Sequence, residues 1–235
     1  MAPSFTPTVG PEIFALRPDY CALSVVADGV RNAARAPVAE RLSAAVCADP
    51  SPAAWADAHL EAWRAAYRGF GAKPQRTPCS AEALRNRLRS DGRLPVINAA
   101  VDLYNALSVR FALPIGGENV EAYAGNPRLV RACGQELFDT TKDGAPYAES
   151  VPAGEVVWLD DRGVTCRRWN WRQGVRTRIE ESTTRMWFVL ERLEPMPIAA
   201  LRDAGRALIA TLLELSPAAT VSSCLLDQAG ATSDP

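Results

Sequence analysis

The sequence predicts an α+β fold in which a single mixed domain packs its helices on a β-sheet. Apolar residues recur at helical spacing in the N-terminal half and again near the C-terminus, whereas the region between carries short β-branched and aromatic runs separated by turns. The 235 residues are 48% hydrophobic and 23% charged, values typical of a protein with a substantial core. No linker is evident, so one domain is expected over residues 20–215.

The N-terminal third predicts an extended arm, one strand and three helices. Four prolines indicate that residues 1–19 form the arm. The run "YCALSVVADGV" is typical of a buried strand that ends in an Asp-Gly turn. Helical patterns follow at 37–48, 53–68 and 80–90. The loop "YRGFGAKPQ" carries Lys73, which either contacts a phosphate or is a solvated loop lysine.

The run "PVINAAVDLYNALSVRFALPIGG" predicts a helix that begins near Asn98 and stops before Pro114. Asn98, Asp102 and Asn105 are spaced i, i+4 and i+7, so they share one helix face. Because Asn and Asp are mediocre helix formers, three aligned ones suggest a polar network or a ligand site. The alternative is that Asn98 caps the helix and the other two bond neighbouring backbone.

The second half predicts mainly strands, then one helix and a loose tail. Strand-like segments lie around 129–132, 154–161, 164–171 and 185–193. Helical spacing returns in "PIAALRDAGRALIATLLEL" after two prolines. Residues 216–235 are expected to form the tail.

Positive charge is concentrated locally although the net charge is −1. Residues 162–178 hold six arginines and no acidic residue, as a polyanion site requires. Tryptophans in "CRRWNWRQGVRT" could stack on unpaired bases. Strand alternation, however, would direct tryptophan and arginine to opposite faces, so an indole core under solvated arginines is the alternative. The candidate nucleic-acid contacts are Arg167, Arg168, Arg172, Arg176 and Lys73.

Several functional classes lack their signatures. There is no GxGxxG, GxxxxGK[ST] or GxSxG motif, and His59 is the only histidine, so neither a cofactor nor a metal site is expected. The six cysteines lie too far apart for a zinc site and are expected to be reduced thiols. No secretory signal or long apolar run is present, which predicts a cytoplasmic protein without a membrane partner. Any catalysis would depend on a positioned water or a substrate group.

Two segments resemble the β-subunit of bacterial phenylalanyl-tRNA synthetase. The helix beginning at Asn98 is similar to that family's P-I-N-N-V-V-D-x-T-N-Y run, with matches at Asn98, Val101, Asp102, Asn105 and Pro114. Downstream, "GEVVWLDDRGVTCRRWNWRQGVRTRIEESTTRMWFVLE" is similar to its strand, acidic turn, glycine-rich loop and Ser-Gly-Val run, which Gly174 and Val175 match. Residues 80–195 thus resemble the synthetase's B-three/B-four editing module, and a fold of that type is expected over 20–215.

The resemblance implies a tRNA-related role. In the synthetase this module binds tRNA-linked amino acid and hydrolyses wrongly made tyrosyl-tRNA. The chain departs from the family where Q-P-L-H is replaced by "LPIGG" and where G-G-E-x-S-G is replaced by "WNWRQG". Trp171 stands at the glutamate associated with the tyrosine hydroxyl, so tyrosine specificity does not carry over, and a differently shaped side chain is expected.

The resulting hypothesis is trans-editing hydrolysis of a mischarged aminoacyl-tRNA ester, with tRNA or aminoacyl-tRNA and an amino-acid-like small molecule as partners. A non-catalytic binding module for tRNA, an amino acid or a related metabolite is the alternative, and action on a non-tRNA aminoacyl compound is a third reading. No catalytic residue is assigned. The residues expected to line or support a substrate pocket are Asn98, Asp102, Asn105, Gly116, Gly117, Asn170, Trp171 and Gln173.

Overall fold

A computed structural model describes residues 5–233, which form six helices and twelve strands in two sheets. The helices are α1 Pro11–Leu16, α2 Pro37–Ala48, α3 Ala56–Gly69, α4 Ser80–Asp91, α5 Ala99–Phe111 and α6 Ile198–Leu215. The strands are β1 Thr8–Val9, β2 Cys21–Asp28, β3 Ile115–Asn119, β4 Arg128–Arg131, β5 Leu137–Lys142, β6 Ala145–Ser150, β7 Val156–Leu159, β8 Val164–Arg167, β9 Arg172–Gln173, β10 Arg185–Arg192, β11 Thr220–Asp227 and β12 Gly230–Ser233.

The five-stranded sheet has the order β12-β11-β2-β10-β3, and all its neighbours are antiparallel. Its central strands, β2 and β10, are near-continuous apolar runs because both faces of the sheet are covered. Phe188 and Leu190 belong to a core shared with α5 and α6, whereas Trp187 and Val189 belong to a second core shared with the other sheet. The alternation along β10 therefore separates the two cores.

The seven-stranded sheet has the order β1-β4-β7-β8-β5-β6, with β9 paired to β8. It meets the five-stranded sheet through aromatic residues: the rings of Trp158 on β7 and Trp187 on β10 have centroids 5.0 Å apart in an edge-to-face arrangement. Trp63 of α3 packs edge-to-face on Trp169 at 5.2 Å. Such pairs contribute packing energy beyond the area that they bury.

The helix α5 lies at the centre of the molecule, where it contacts α2, α4, α6 and β3. Asn98 caps its N-terminus by accepting a hydrogen bond from the backbone N–H of Val101 at 3.1 Å. Its C-cap, Ala112, has φ +49° and precedes Leu113 and Pro114. The helix predicted to begin near Asn98 and to stop before Pro114 is thus confirmed.

The α+β class is confirmed, but the expected strand around 164–171 ends at Arg167, and the expected arm and tail also differ from the sequence expectation. The expected arm contains β1 and α1, because Pro11 stands at the first turn of a helix, where proline is well accommodated. The expected loose tail contains β11, which lies between β2 and β12 in the five-stranded sheet; Leu225 and Leu226 of this strand are buried there. Residues 1–4 and 234–235 lie outside the described residues. None of the helices within 5–233 is long and apolar enough to cross a membrane.

Candidate functional site

A cavity of about 300 Å³, called the main cavity below, lies where the two sheets meet α4 and α5. Trp187, Val189 and Glu191 enter it from β10, and Gly116 and Glu118 enter it from β3. These positions alternate along their strands, so each set shares one sheet face. The remaining lining residues are Ser80, Ala83, Leu84 and Arg87 of α4, Tyr104 and Asn105 of α5, Ile115, Trp158, Cys166, and the run from Trp169 to Gln173.

Two buried carboxyl groups line this cavity. Glu118 is 4% exposed and Glu191 is 1% exposed. Burial raises the pKa of each to about 7, although hydrogen bonds partly oppose the shift. Among the described residues, neither carboxylate forms an ion pair with an arginine, lysine or histidine. The cavity therefore carries two acidic groups that have no ion-pair partner within the described residues.

Glu191 is the centre of a hydrogen-bond network that connects both sheets to α3. Its Oε1 accepts from Tyr20 Oη at 2.8 Å and from Trp158 Nε1 at 3.2 Å. Its Oε2 accepts from Asn170 Nδ2 at 2.9 Å, and Asn170 Oδ1 in turn accepts from Tyr67 Oη at 2.8 Å. This network holds the turn that carries Asn170 against the cavity.

The structure brings five of the eight predicted pocket residues to one cavity. Asn105, Gly116, Asn170, Trp171 and Gln173 all line it. The two sequence segments that carry the resemblance therefore meet at one cavity. Trp169 is fully buried and lines this cavity, but its indole ring does not fill it.

Asn98, Asp102 and Gly117 are not among the lining residues. Besides capping α5, Asn98 donates from Nδ2 to the carbonyl of Ile179 at 3.0 Å. Asp102 Oδ1 accepts from the backbone N–H of Ile97 at 2.9 Å. A Cβ on Gly117 would approach Tyr104 Cε1 to 2.7 Å, so glycine here permits close helix–strand packing. The three positions support the site's framework.

Arg167 and Arg176 are occupied inside the protein. The guanidinium of Arg167 is bidentate to Glu155, with both distances 2.8 Å, and also contacts Glu149. Arg176 is bidentate to Asp160, at 2.8 and 2.9 Å. The side chains of Arg167 and Arg176 are only 3% and 14% exposed, so neither is free to meet a phosphate.

Arg172 and Lys73 are the exposed members of the predicted cationic set, whereas the Arg168 side chain is 26% exposed and its Nε lies 3.5 Å from the Glu155 carboxylate. Residues 168–171 form a turn, in which Arg168 and Trp169 have φ +47° and +66°, so the expected strand alternation does not apply to them. The Arg168 guanidinium lies 4.4 Å from the ring centroid of Trp171. The exposed Arg172 lines the main cavity, whereas Lys73, Arg76 and Arg168 line a second cavity of about 300 Å³.

The nucleophile candidates are either remote from the cavity or inactive. His59 Nδ1 contacts the carbonyl of Ala112 and Nε2 accepts from Trp63 Nε1. Burial lowers the His59 pKa to about 4, so it is a neutral core residue. Cys166 does line the cavity, but burial raises the pKa of its thiol well above the ordinary value. Within residues 5–233, no three His, Cys, Asp or Glu side chains group as metal ligands.

The sequence reasoning missed Glu118 and Glu191. Glu191 interrupts the apolar run "MWFVLER" at a position where strand alternation gives it the same face as Trp187 and Val189. An acid inside a strand buried on both faces is a signal of a buried carboxylate. Glu118 directly follows the two glycines that end the first segment of the resemblance. Glu191 is the last residue of the second segment, but neither acid was among the positions matched to the family pattern.

The fold and the cavity define an α+β domain with a polar, tryptophan-lined pocket between its sheets. The family model for the B3/4 domain matches residues 62–206, more than half of the chain. The chain therefore belongs to the B3/4 domain family.

Sixteen chains of solved structures match this fold. One is an N-terminal fragment of the phenylalanyl-tRNA synthetase β-subunit from Pyrococcus horikoshii, with a TM-score of 0.55 and 10% sequence identity. The match covers 99% of this chain and 55% of that one, so the chain spans about half of the fragment. At this identity the likeness concerns the fold. No curated protein sequence matches the chain at a significant level.

Proposed function

We propose that this protein binds the aminoacyl end of tRNA in the main cavity and hydrolyses the ester of mischarged aminoacyl-tRNA. The observation that carries the proposal is the convergence of Asn105, Asn170, Gln173 and Arg172 on one hollow of about 300 Å³. The B3/4 family and the synthetase-like fold support a tRNA-related role. We place the activity in the cytoplasm, where aminoacyl-tRNA is used.

The cavity has the composition of a small-ligand site. Its indole and phenol walls bury apolar surface of the aminoacyl group, and a few amides orient its polar atoms. Gly116 has room beside it, since an added Cβ would meet only Val189 Cγ1 at 3.4 Å. The ligand can therefore approach the β3 backbone closely.

Two cationic groups belong to the same cavity and would meet the acceptor-end phosphates. Arg172 is exposed, and within residues 5–233 its guanidinium makes only a neutral hydrogen bond, to Thr140 Oγ1 at 3.0 Å. Arg87 is 53% exposed and 3.4 Å from Asp91, a pair that solvent screens. Lys73 and Arg76 offer further phosphate contacts at the second cavity, whereas Arg168 is paired there with Glu155.

The hydrolysis needs no protein nucleophile. An aminoacyl ester is already activated, so a water aligned by the cavity amides, together with the substrate's ribose hydroxyl, supplies the attack. Backbone donors along β3 would stabilise the charge that develops on the carbonyl oxygen.

A second candidate function is non-catalytic binding of tRNA, an amino acid or a related metabolite. The observation that favours it is that Asn170 and Gln173 already form hydrogen bonds within the protein, Asn170 with Tyr67 and Glu191 and Gln173 Nε2 with the carbonyl of Gly117 at 2.7 Å, which leaves fewer cavity amides to align a water. In this reading the same cavity holds its ligand without turnover.

Deacylation of a panel of mischarged tRNAs by the full chain distinguishes the two functions. We expect the ester of at least one aminoacyl-tRNA to disappear faster with the protein, and Gly116→Leu, which fills the cavity, to abolish the effect. Ala218→Leu adds the same bulk at an exposed position away from the cavity and should retain activity. Unchanged ester lifetimes alongside measurable tRNA binding would favour the binding module, and activity in Gly116→Leu would place the chemistry elsewhere.

A further inference from the structure

We infer that the main cavity selects ligands that carry an α-ammonium group, which contacts the Glu118 carboxylate and the tryptophan walls. This inference deepens the proposed function and rests on its choice of cavity. It names the part of the aminoacyl group that the protein recognises and gives a role to a residue that the hydrolysis does not use. A 2-hydroxy acyl or N-acylated ligand would be rejected.

Glu118 is a buried carboxylate that lacks a cationic partner. Tyr123 Oη donates a short hydrogen bond to its Oε2. The nearby Arg176 is committed to Asp160 by two hydrogen bonds. An ionised carboxylate buried without a cation is costly, so a bound ammonium would offset that cost.

Glu191, the other acid of the cavity, is the weaker candidate for this contact. Three donors, Tyr20 Oη, Trp158 Nε1 and Asn170 Nδ2, occupy both of its oxygens. The hydrogen-bonding capacity of Glu191 is therefore largely used within the protein, whereas Glu118 has its main contact at one oxygen.

Polar groups without protein partners point to a ligand in the same cavity. Asn105 is 7% exposed and lines the cavity, and none of the described side chains hydrogen-bonds to its amide. Ser80 Oγ, on the opposing helix α4, is buried without a hydrogen-bond partner in the described part of the chain. Buried polar atoms normally have hydrogen-bond partners. We therefore expect the Asn105 amide and the Ser80 hydroxyl to form hydrogen bonds with the ligand's carbonyl and ammonium groups.

The aromatic walls favour a cation over a neutral group. Trp158, Trp171 and Trp187 line the cavity together with Tyr104, and indole is the best aromatic partner for a cation. One of these rings already has a cation above it, because the Arg168 guanidinium is 4.4 Å from the Trp171 centroid. An ammonium between indole rings and a carboxylate gains from both interactions.

The test is equilibrium binding of paired amides that differ only in charge. The probes are the carboxamides of L-alanine, L-leucine and L-phenylalanine, each against the corresponding 2-hydroxy acid carboxamide, which replaces the ammonium with a hydroxyl. Binding is measured by tryptophan fluorescence and calorimetry at about pH 7.5, where much of the α-amino group and of Glu118 is charged. In one of the three pairs, we expect the amino acid carboxamide to bind about ten- to a hundredfold more tightly than the corresponding 2-hydroxy acid carboxamide.

The Glu118→Gln variant should reduce that preference to near unity, while Glu121→Gln, an exposed carboxylate three residues along the chain, should leave it intact. Equal affinities within every pair of the wild-type protein would overturn the inference even if Glu118→Gln did not fold. A preference that persists in folded Glu118→Gln would also overturn it. Absence of binding by all six amides would overturn the inference too. The proposed function would then be tested separately by the deacylation panel.

Discussion

The buried acidic residues of the two sheets have different kinds of partner. In the seven-stranded sheet, Glu155 is held by the bidentate guanidinium of Arg167, and Asp160, just beyond β7, is held likewise by Arg176. In the five-stranded sheet, Glu118 accepts from Tyr123, and Glu191 accepts from Tyr20, Trp158 and Asn170; neither carboxylate forms an ion pair within the described residues. Only the second pair of acids lines the main cavity.

This difference separates charges that build the fold from charges that are available to a ligand. The Arg176 guanidinium lowers the pKa of the Asp160 carboxyl, so that pair stays ionised and self-contained. The carboxyls of Glu118 and Glu191 titrate near pH 7. A ligand cation gains little in the first region and much in the second.

The largest expected effect comes from breaking a paired acid. Arg167→Ala leaves Glu155, whose side chain is 7% exposed, as a buried carboxylate without its bidentate partner and with only the longer 3.5 Å contact to Arg168. We expect the free energy of unfolding to fall by about 3–5 kcal/mol, measured by urea denaturation. Arg172→Ala, at an exposed position of the same arginine-rich segment, is the matched control and should change it by less than about 0.5 kcal/mol. Equal small losses in both variants would contradict the division between the two regions.

An intermediate effect should appear as a change in the pH dependence of stability. Burial raises the pKa of Glu118 from 4.5 to about 7, so between these values the folded state holds a proton that the unfolded state has lost. The contribution of the protonated Glu118 carboxyl to the free energy of unfolding is fully present below about pH 4.5 and is lost as the pH rises through 7. Glu118→Gln removes this slope. Relative to wild type, the variant should gain on the order of 2–3 kcal/mol between about pH 5 and pH 8.

Urea midpoints of wild type, Glu118→Gln and the exposed control Glu121→Gln across that pH range measure this difference. Parallel pH profiles for wild type and Glu118→Gln would show that the carboxyl is ionised throughout, as in the paired region. The control should follow the wild type.

Local patterns in the sequence were sufficient to predict most of the secondary structure. The cap at Asn98, the breaker at Pro114 and the apolar run of β2 act over a few residues, so their outcome could be predicted without tertiary contacts. The tail was misjudged because β11 alternates only weakly and owes its order to pairing with β2. The separation into two sheets likewise depends on long-range pairing, which local patterns do not encode.

Site residues could be predicted where their role depends on spacing along the chain. They could not be predicted where their role depends on burial in the folded protein. Asn98 and Asn105 share a helix face, yet one caps α5 and the other lines the cavity, because only packing decides which end of that face meets β10. The arginine cluster was correctly seen as a local excess of charge. The sequence of the cluster does not show that Arg167 and Arg176 form ion pairs with Glu155 and Asp160, which precede the cluster along the chain.

The smallest expected effect on stability belongs to the accessible arginine, where the consequence should fall on binding. Arg172→Ala should weaken tRNA binding and make the dependence of affinity on salt less steep by about one unit of log–log slope, because one phosphate contact is lost. Arg206→Ala, an exposed arginine on α6 paired with Asp203, should leave both quantities unchanged. Filter binding at several salt concentrations measures them. An unchanged slope in Arg172→Ala would mean that the phosphates meet the second cavity, with Lys73 and Arg76, instead of the main one.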